Sequence, residues 1–264
     1  MKILIAVFAA AFLCFPSRAQ ARWGMDFTAS WWEMDAKDFK RTMSTYGNSG
    51  NTDNESIKRD SLGGAASFYI EGKSKSRFGL SFGYGAMPNA SIKLERSATD
   101  PHRLEIVNRT TYIPVDLYYK FGSKGGKAAF FLGGGADYIM AKSEYRQVSG
   151  VSDANNDVGT FKAQKTVPHA KAGFEFFLTR GLSFGCSAKY VMSGVISDLQ
   201  GNETRNGTPR AGKRRLVMDT YGSGVAAMSR PVSSGISAGN APLQYDYTGL
   251  RMELAMRWNF GGRN

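Results

Sequence analysis

The sequence predicts an all-β fold: an eight-stranded, antiparallel, up-and-down β-barrel that crosses a membrane, with long loops at one end and short turns at the other. Three observations carry this reading. In residues 250–260, Leu250, Met252, Leu254, Met256, Trp258 and Phe260 alternate with Arg251, Glu253, Ala255, Arg257 and Asn259, so one strand face is apolar and the other polar. Segments of this kind recur along the chain, and the connections between them alternate long and short, as barrel loops and turns do in a membrane. Beyond the N-terminus, no apolar run reaches the roughly 20 residues a membrane helix needs. A membrane reading therefore requires strands that close on themselves.

Residues 1–21 read as a secretory signal peptide. Lys2 precedes an apolar run from Ile3 to Phe15, and small residues offer cleavage after Ala19 or Ala21. Leu13 is not the small residue that lipidation at Cys14 requires. After cleavage Cys186 is the single cysteine, which excludes an internal disulfide. The formal charge is +12; removing Lys2 and Arg18 leaves the barrel region, 22–264, near +10. No nucleic-acid motif accompanies that charge. Glycine (31 residues) and aromatics (12%) suit tight turns and interfacial girdles.

The first strand spans 23–33, with Trp23, Met25, Phe27, Ala29 and Trp31 on one face and Asp26, Thr28, Ser30 and Trp32 on the other. Trp23 and Trp31 are separated by roughly 20 Å along the membrane normal at about 3.3 Å per residue and a tilt of about 40°. Residues 34–60 read as a long loop. Strands at 61–71 and 77–87 flank the turn GKSKS, and Pro88 ends the second of them. Residues 88–107 read as another loop. Strands at 109–121 and 127–141 flank GSKGG; 142–157 reads as a third loop. Strands at 161–178 and 182–192 flank Thr179, Arg180 and Gly181. Residues 194–246 read as the longest loop, in which a further strand pair near 213–229 is the alternative that would make ten strands. Trp23, Trp31, Tyr84, Tyr138, Tyr190, Trp258 and Phe260 are the expected aromatic girdle.

The chain resembles the small eight-stranded outer-membrane barrels of the OmpA/OmpW-like superfamily. The resemblance rests on TTYIPVDLYYKFG, AAFFLGGGADYIMA and the C-terminal strand. It implies location in the bacterial outer membrane, no cofactor, contact with outer-membrane lipids including lipopolysaccharide, and engagement of the barrel-assembly machinery through the C-terminal strand. Phe260 is the aromatic type such strands end in, although Gly261, Gly262, Arg263 and Asn264 follow it.

The inward faces collect Asp26, Glu71, Asp116, Asp137, Glu175 and Glu253 with Lys171, Lys189, Arg251 and Arg257. An eight-stranded barrel is just wide enough for side chains to fill, so these charges form either a salt-bridged plug or a narrow polar path. The short turns are basic: Lys73, Lys75, Arg77, Lys124, Lys127 and Arg180 form a rim that is either solvated or set against anionic phospholipid. Lys213, Arg214 and Arg215 in the longest loop are candidates for lipopolysaccharide phosphates or another polyanion. A surface ligand would be met through 34–60 and 194–246. His102 and His169 have no recognisable Ser or Asp partner motif, GSKGGK is not a phosphate loop, and no metal-ligand cluster appears. The expected role is therefore structural and surface-interactive rather than enzymatic. The alternatives are a narrow channel or OmpW-like conduit for small hydrophobic molecules and, more remotely, a lipid-modifying enzyme.

Overall fold

The computed structural model describes residues 21–32, 35, 37–47, 52–72, 77–96, 102–122, 127–149, 155–221, 224–236 and 240–260. Its elements in order are β1 (Ala21–Trp32), α1 (Lys37–Gly47), β2 (Thr52–Arg59), β3 (Leu62–Gly72), β4 (Arg77–Ala86), β5 (Ala90–Arg96), β6 (His102–Phe121), β7 (Ala128–Ser149), β8 (Asn155–Phe177) and β9 (Leu182–Val191). They continue as β10 (Val195–Ile196), β11 (Gln200–Arg205), β12 (Thr208–Pro209), β13 (Arg214–Tyr221), β14 (Gly224–Pro231), β15 (Asn240–Pro242), β16 (Tyr245–Asp246) and β17 (Gly249–Asn259). The assigned signal peptide falls almost wholly outside the described residues. No helix among those residues is long and apolar enough to cross a membrane.

The fold is an all-β, barrel-like antiparallel sheet. Its ladders run from β1 to β3, β4, β6, β7, β8, β9 and β17, and β17 pairs again with β1. The link between β17 and β1 sets Trp258 opposite Met25 and Arg251 opposite Trp32. The breaks between β3 and β4, β6 and β7, and β8 and β9 are short and lie at one end; the start of β1 and the end of β17 lie there too.

Around this circuit burial is inverted relative to a water-soluble protein. Trp23, Phe27, Trp31, Phe78, Leu117, Leu132, Phe174, Phe184, Leu254 and Trp258 are exposed, while Asp26, Asp116, Asp137, Glu175, Lys189 and Glu253 are buried. The period-two alternation causes this: each strand sends its ionisable set to one face and its apolar set to the other. Glycines on the inner face make room for large rings. A Cβ at Gly79 would lie 2.1 Å from the Tyr118 ring, and one at Gly85 would lie 2.5 Å from the Tyr112 ring.

The long connections are not bare loops, and the number of strands exceeds eight. Segment 34–60 contains α1 and β2; 88–107 contains β5 and the first residues of β6; 142–157 is mostly the continuation of β7 and β8; 194–246 contains β10 to β16. The strand pair weighed at 213–229 exists as β13–β14, but it joins β11 at the far end of β8 and does not enter the circuit. At 20, 22 and 23 residues, β6, β7 and β8 are about twice the 9–11 residues that cross a membrane. Their far halves carry β5 and β2 on one side and β11, β13 and β14 on the other.

In this far lobe burial reverts to the ordinary sense. Trp32, Ile92, Leu94, Leu104, Ile106, Ile139, Tyr145, Phe161, Leu216, Met218, Leu243 and Tyr247 form one apolar core. The helix α1 packs on both ends of the lobe's sheet, against β13 and β14 and against β2 and β5. Phe39 is buried against the Tyr245 ring, 5.7 Å between centroids. Thr42 Oγ1 accepts the backbone N–H of Ala227 at 3.0 Å, and Asp38 accepts that of Gln244 at 2.9 Å.

Phe39→Ala removes the ring that seats the helix and is expected to destabilise the lobe by about 3–5 kcal/mol. Limited proteolysis checks it: cleavage within 37–47 rises while the β1–β17 circuit stays resistant.

Candidate functional site: the charged interior

Each inward charge is set by strand register. Asp26 on β1 lies opposite Arg257 on β17, Glu253 opposite Ser187, and Lys171 on β8 opposite Lys189 on β9. Such groups cannot stay ionised apart in a packed interior, and they meet in two layers.

The layer nearer the short turns joins Asp26, Glu71 and Glu175 to Lys120, Arg257 and Arg77. The Arg257 guanidinium grips Asp26 with two hydrogen bonds of 2.6 and 2.8 Å, a bidentate pairing, and reaches Glu175 at 3.3 Å and Glu71 at 3.5 Å. It also lies over the Tyr69 ring, 4.2 Å from the centroid. Lys120 Nζ bridges Glu71, at 2.5 Å, and Glu175. Arg77 completes the layer 3.9 Å from Glu71. Three carboxylates thus face three cations.

The second layer joins Asp116, Asp137 and Glu253 to Lys171, Lys189 and Arg251, again three against three, with His169 between. Lys189 Nζ is 2.8 Å from Asp137 and 3.6 Å from Asp116; Lys171 Nζ is 2.7 Å from Glu253. His169 Nε2 lies 2.5 Å from Asp116 Oδ1, and Nδ1 lies 3.5 Å from Asp137 Oδ1. Arg251, 3.0 Å from Glu253, is held between the Trp32 and Tyr112 rings at 4.9 and 4.6 Å. It is the junction with the apolar lobe, since Trp32 packs edge-on against Tyr247 at 5.4 Å. Burial pushes the Tyr247 hydroxyl up to about 12 against the opposing pull of its bonds to Thr110 and Asn108. A cavity of about 50 Å³ separates the two layers, lined by Ser67, Ser81, Ser187, Asp26, Lys171 and Arg257 among others. That volume suits a few water molecules.

All ten charged residues assigned to the interior are brought together here. Arg77 is corrected from the basic rim: its side chain turns in toward Glu71. Lys127 and Arg180 are exposed at the short-turn end; Lys73, Lys75 and Lys124 fall outside the described residues. His169 is also corrected. It does have aspartate partners and is 3% exposed. Its place was readable, since it shares the parity of Lys171 and Glu175. Lys120 has the same parity as Asp116 and was missed as a member of the network. Ser81 donates to Asp116 at 3.1 Å rather than to the histidine ring, so the pair lacks the hydroxyl that a nucleophilic relay needs. Among the described residues no cluster of His, Cys, Asp and Glu could hold a metal ion. The girdle residues Trp23, Trp31, Tyr84, Tyr190, Trp258 and Phe260 are outward and exposed, and Tyr138 is half-buried. Of the loop cations, Arg214 pairs with Glu203 and Arg215 with Asp198, so neither is free for a polyanion; Lys213 is exposed.

A barrel-like sheet with an ionic interior and a bare apolar exterior belongs among membrane proteins. The chain is a member of the outer membrane protein beta-barrel domain family, whose model matches residues 5–211. No curated protein matches it. Among solved structures it is similar to the outer membrane protein OprG from Pseudomonas aeruginosa, at 10% identity and a TM-score of 0.39 over 92% of this chain and 95% of that one. That likeness is too distant to bear on function.

Lys120→Met leaves Glu71 and Glu175 short of a cation and is expected to destabilise the folded state by about 3–5 kcal/mol. Adding Glu175→Gln restores the balance and recovers part of the loss. Urea unfolding in detergent measures both.

Proposed function

We propose that this protein is an eight-stranded transmembrane anchor of the outer membrane that holds a folded lobe outside the cell and does not conduct. The short connections then face the periplasm, and Lys127 and Arg180 sit at the level of inner-leaflet headgroups. The exposed apolar face supports the membrane reading, because among the described residues its large side chains, from Trp23 and Phe27 to Leu254 and Trp258, are left uncovered, as on the lipid-facing side of a membrane barrel. The C-terminal strand, with Trp258 and Phe260 outward, is the part offered to the assembly machinery.

The observation that carries the non-conducting role is the double closure of the bore. Two charge-balanced layers fill it, and beyond them the apolar core under α1 covers its outer end. A path for ions or small hydrophobic molecules would have to break several buried ion pairs and then cross that core. The cavity between the layers is small, about 50 Å³, and Asp26, Asp116, Lys171, Glu175 and Arg257 line it from both sides. The functional surface is then the lobe itself, contributed by segments 34–60 and 194–246, which read as a binding platform held rigidly above the membrane.

Planar-bilayer recording tests this. The purified, folded protein is expected to give no stable conductance steps; reproducible steps would establish the channel reading instead. Deleting 37–47 is expected to disturb the lobe without opening the bore, because the ionic layers remain.

A further inference from the structure

We infer that the outward face of β6, β7 and β8 carries a binding row for the phosphate groups of an outer-leaflet lipid. Register places three cations side by side: Arg109 lies opposite Lys142, and Lys142 opposite Lys162. Their chain neighbours Asn108, Thr110, Ala141, Ser143 and Phe161 are buried, so the three point away from the interior. The Arg109 and Lys142 side chains are 62% and 45% exposed, and Lys162 is exposed. Like charges directly opposed on one sheet face destabilise it. One carboxylate offsets them: Glu144 is 2.8 Å from Lys142 and 3.8 Å from Arg109. Lys162 makes no ion pair among the described residues, and the row ends at the neutral Gln200. An anion with several oxygens relieves this arrangement; a single counter-ion does not span it.

The level of the row identifies the anion's source. The same three strands present, from the short-turn end upward, Phe121–Phe130–Phe174, then Tyr119–Leu132–Ala172, and later Ile113–Tyr138–Thr166 and Thr111–Met140–Gln164. The cationic row comes next, roughly 30 Å above the phenylalanines along the normal, just past an apolar band of about 25 Å. At this level the buried face of β7 changes from Asp137 to Ile139 and Ala141, which marks the same boundary from inside. A phosphate held here would have its acyl chains run down past the two mixed rows, which carry Met140, Tyr138 and Ile113 beside Thr111, Gln164 and Thr166, onto the apolar rows that begin at Val115–Ala136–Pro168, a course open to an anchored lipid and not to a free anion. The inference rests on the proposed orientation, with the lobe outside.

Native mass spectrometry of the folded protein in detergent tests it, with phosphorylated lipid A, its dephosphorylated form and inorganic phosphate as probes. The R109Q/K142Q/K162Q variant is expected to bind phosphorylated lipid A about a hundredfold more weakly, from about fivefold per cation. R109K/K142R/K162R, which keeps the charge, is expected to bind as the wild type does. Heat-modifiable migration confirms that each variant is folded. Equal binding by the neutralised variant, or equal binding of the dephosphorylated lipid by the wild type, overturns the inference. Displacement of the lipid by an equal concentration of inorganic phosphate overturns the lipid assignment. Orientation is tested separately by labelling Lys142→Cys in a Cys186→Ser background with an impermeant maleimide on intact cells. Labelling supports the lobe-out reading, and its absence sinks that reading together with the row.

Discussion

Neutralisation of charge inside the β1–β17 circuit is the constraint on which the rest of the structure depends. The outward face must be apolar, so with period two the ionisable residues have one place to go. Once inside they are shielded from water and must find partners of opposite sign. The chain meets this with two layers, each of three carboxylates and three cations, and uses arginine where one group must serve several acids. Arg257 contacts Asp26, Glu71 and Glu175 and stacks on Tyr69. The planar guanidinium can do this, whereas a lysine ammonium cannot stack and pair bidentately at once. Tyr112 and Tyr118 fill the remaining inner space over Gly85 and Gly79.

The second consequence is a molecule with two cores of opposite character along one set of strands. On β7 the inward series runs from Asp137 to Ile139, Ala141 and Tyr145, while the outward series runs from Leu132 and Tyr138 to Lys142, Glu144 and Arg146. Inside and outside exchange polarity over a few residues. Below that point stability comes from buried ion pairs and cross-strand hydrogen bonds; above it, from apolar burial of the soluble kind. Arg251 stands at the junction, paired with Glu253 on one side and enclosed by Trp32 and Tyr112 on the other. The lobe and the charged bore therefore meet as one packed body, and the helix α1 bridges the two ends of the lobe's sheet.

How much of this was legible in the sequence follows from the same exchange. Where the outward face is uniformly apolar, as in 250–260 or 113–121, the alternation is clear, and it places Asp26, Glu71, Asp116, Lys189 and Arg257 inside without further information. Near 138–140, Tyr138, Ile139 and Met140 are all apolar because the polarity is changing sides, and the alternation fades just where the strand continues. The lobe strands suffer the same loss. β5 has Ile92 and Leu94 in the right period but is only seven residues long, and β11 (QGNETR) has no apolar residue at all. The helix in 37–47 is short and rich in charge, and its register on β14 is a tertiary fact. His169 is the opposite case: its parity was readable, but its aspartate partners lie on β6 and β7, far away in the chain.

The central claim is that lipid, not protein, covers the apolar face, and the tryptophans offer a direct measurement. Trp23, Trp31 and Trp258 point outward, whereas Trp32, 1% exposed, is sealed inside beside Arg251. Single-tryptophan variants folded into bilayers whose acyl chains carry bromine should show strong fluorescence quenching for the first three and almost none for Trp32. Quenching of Trp32 equal to that of its neighbour Trp31, or no quenching of any of the four, would contradict the account.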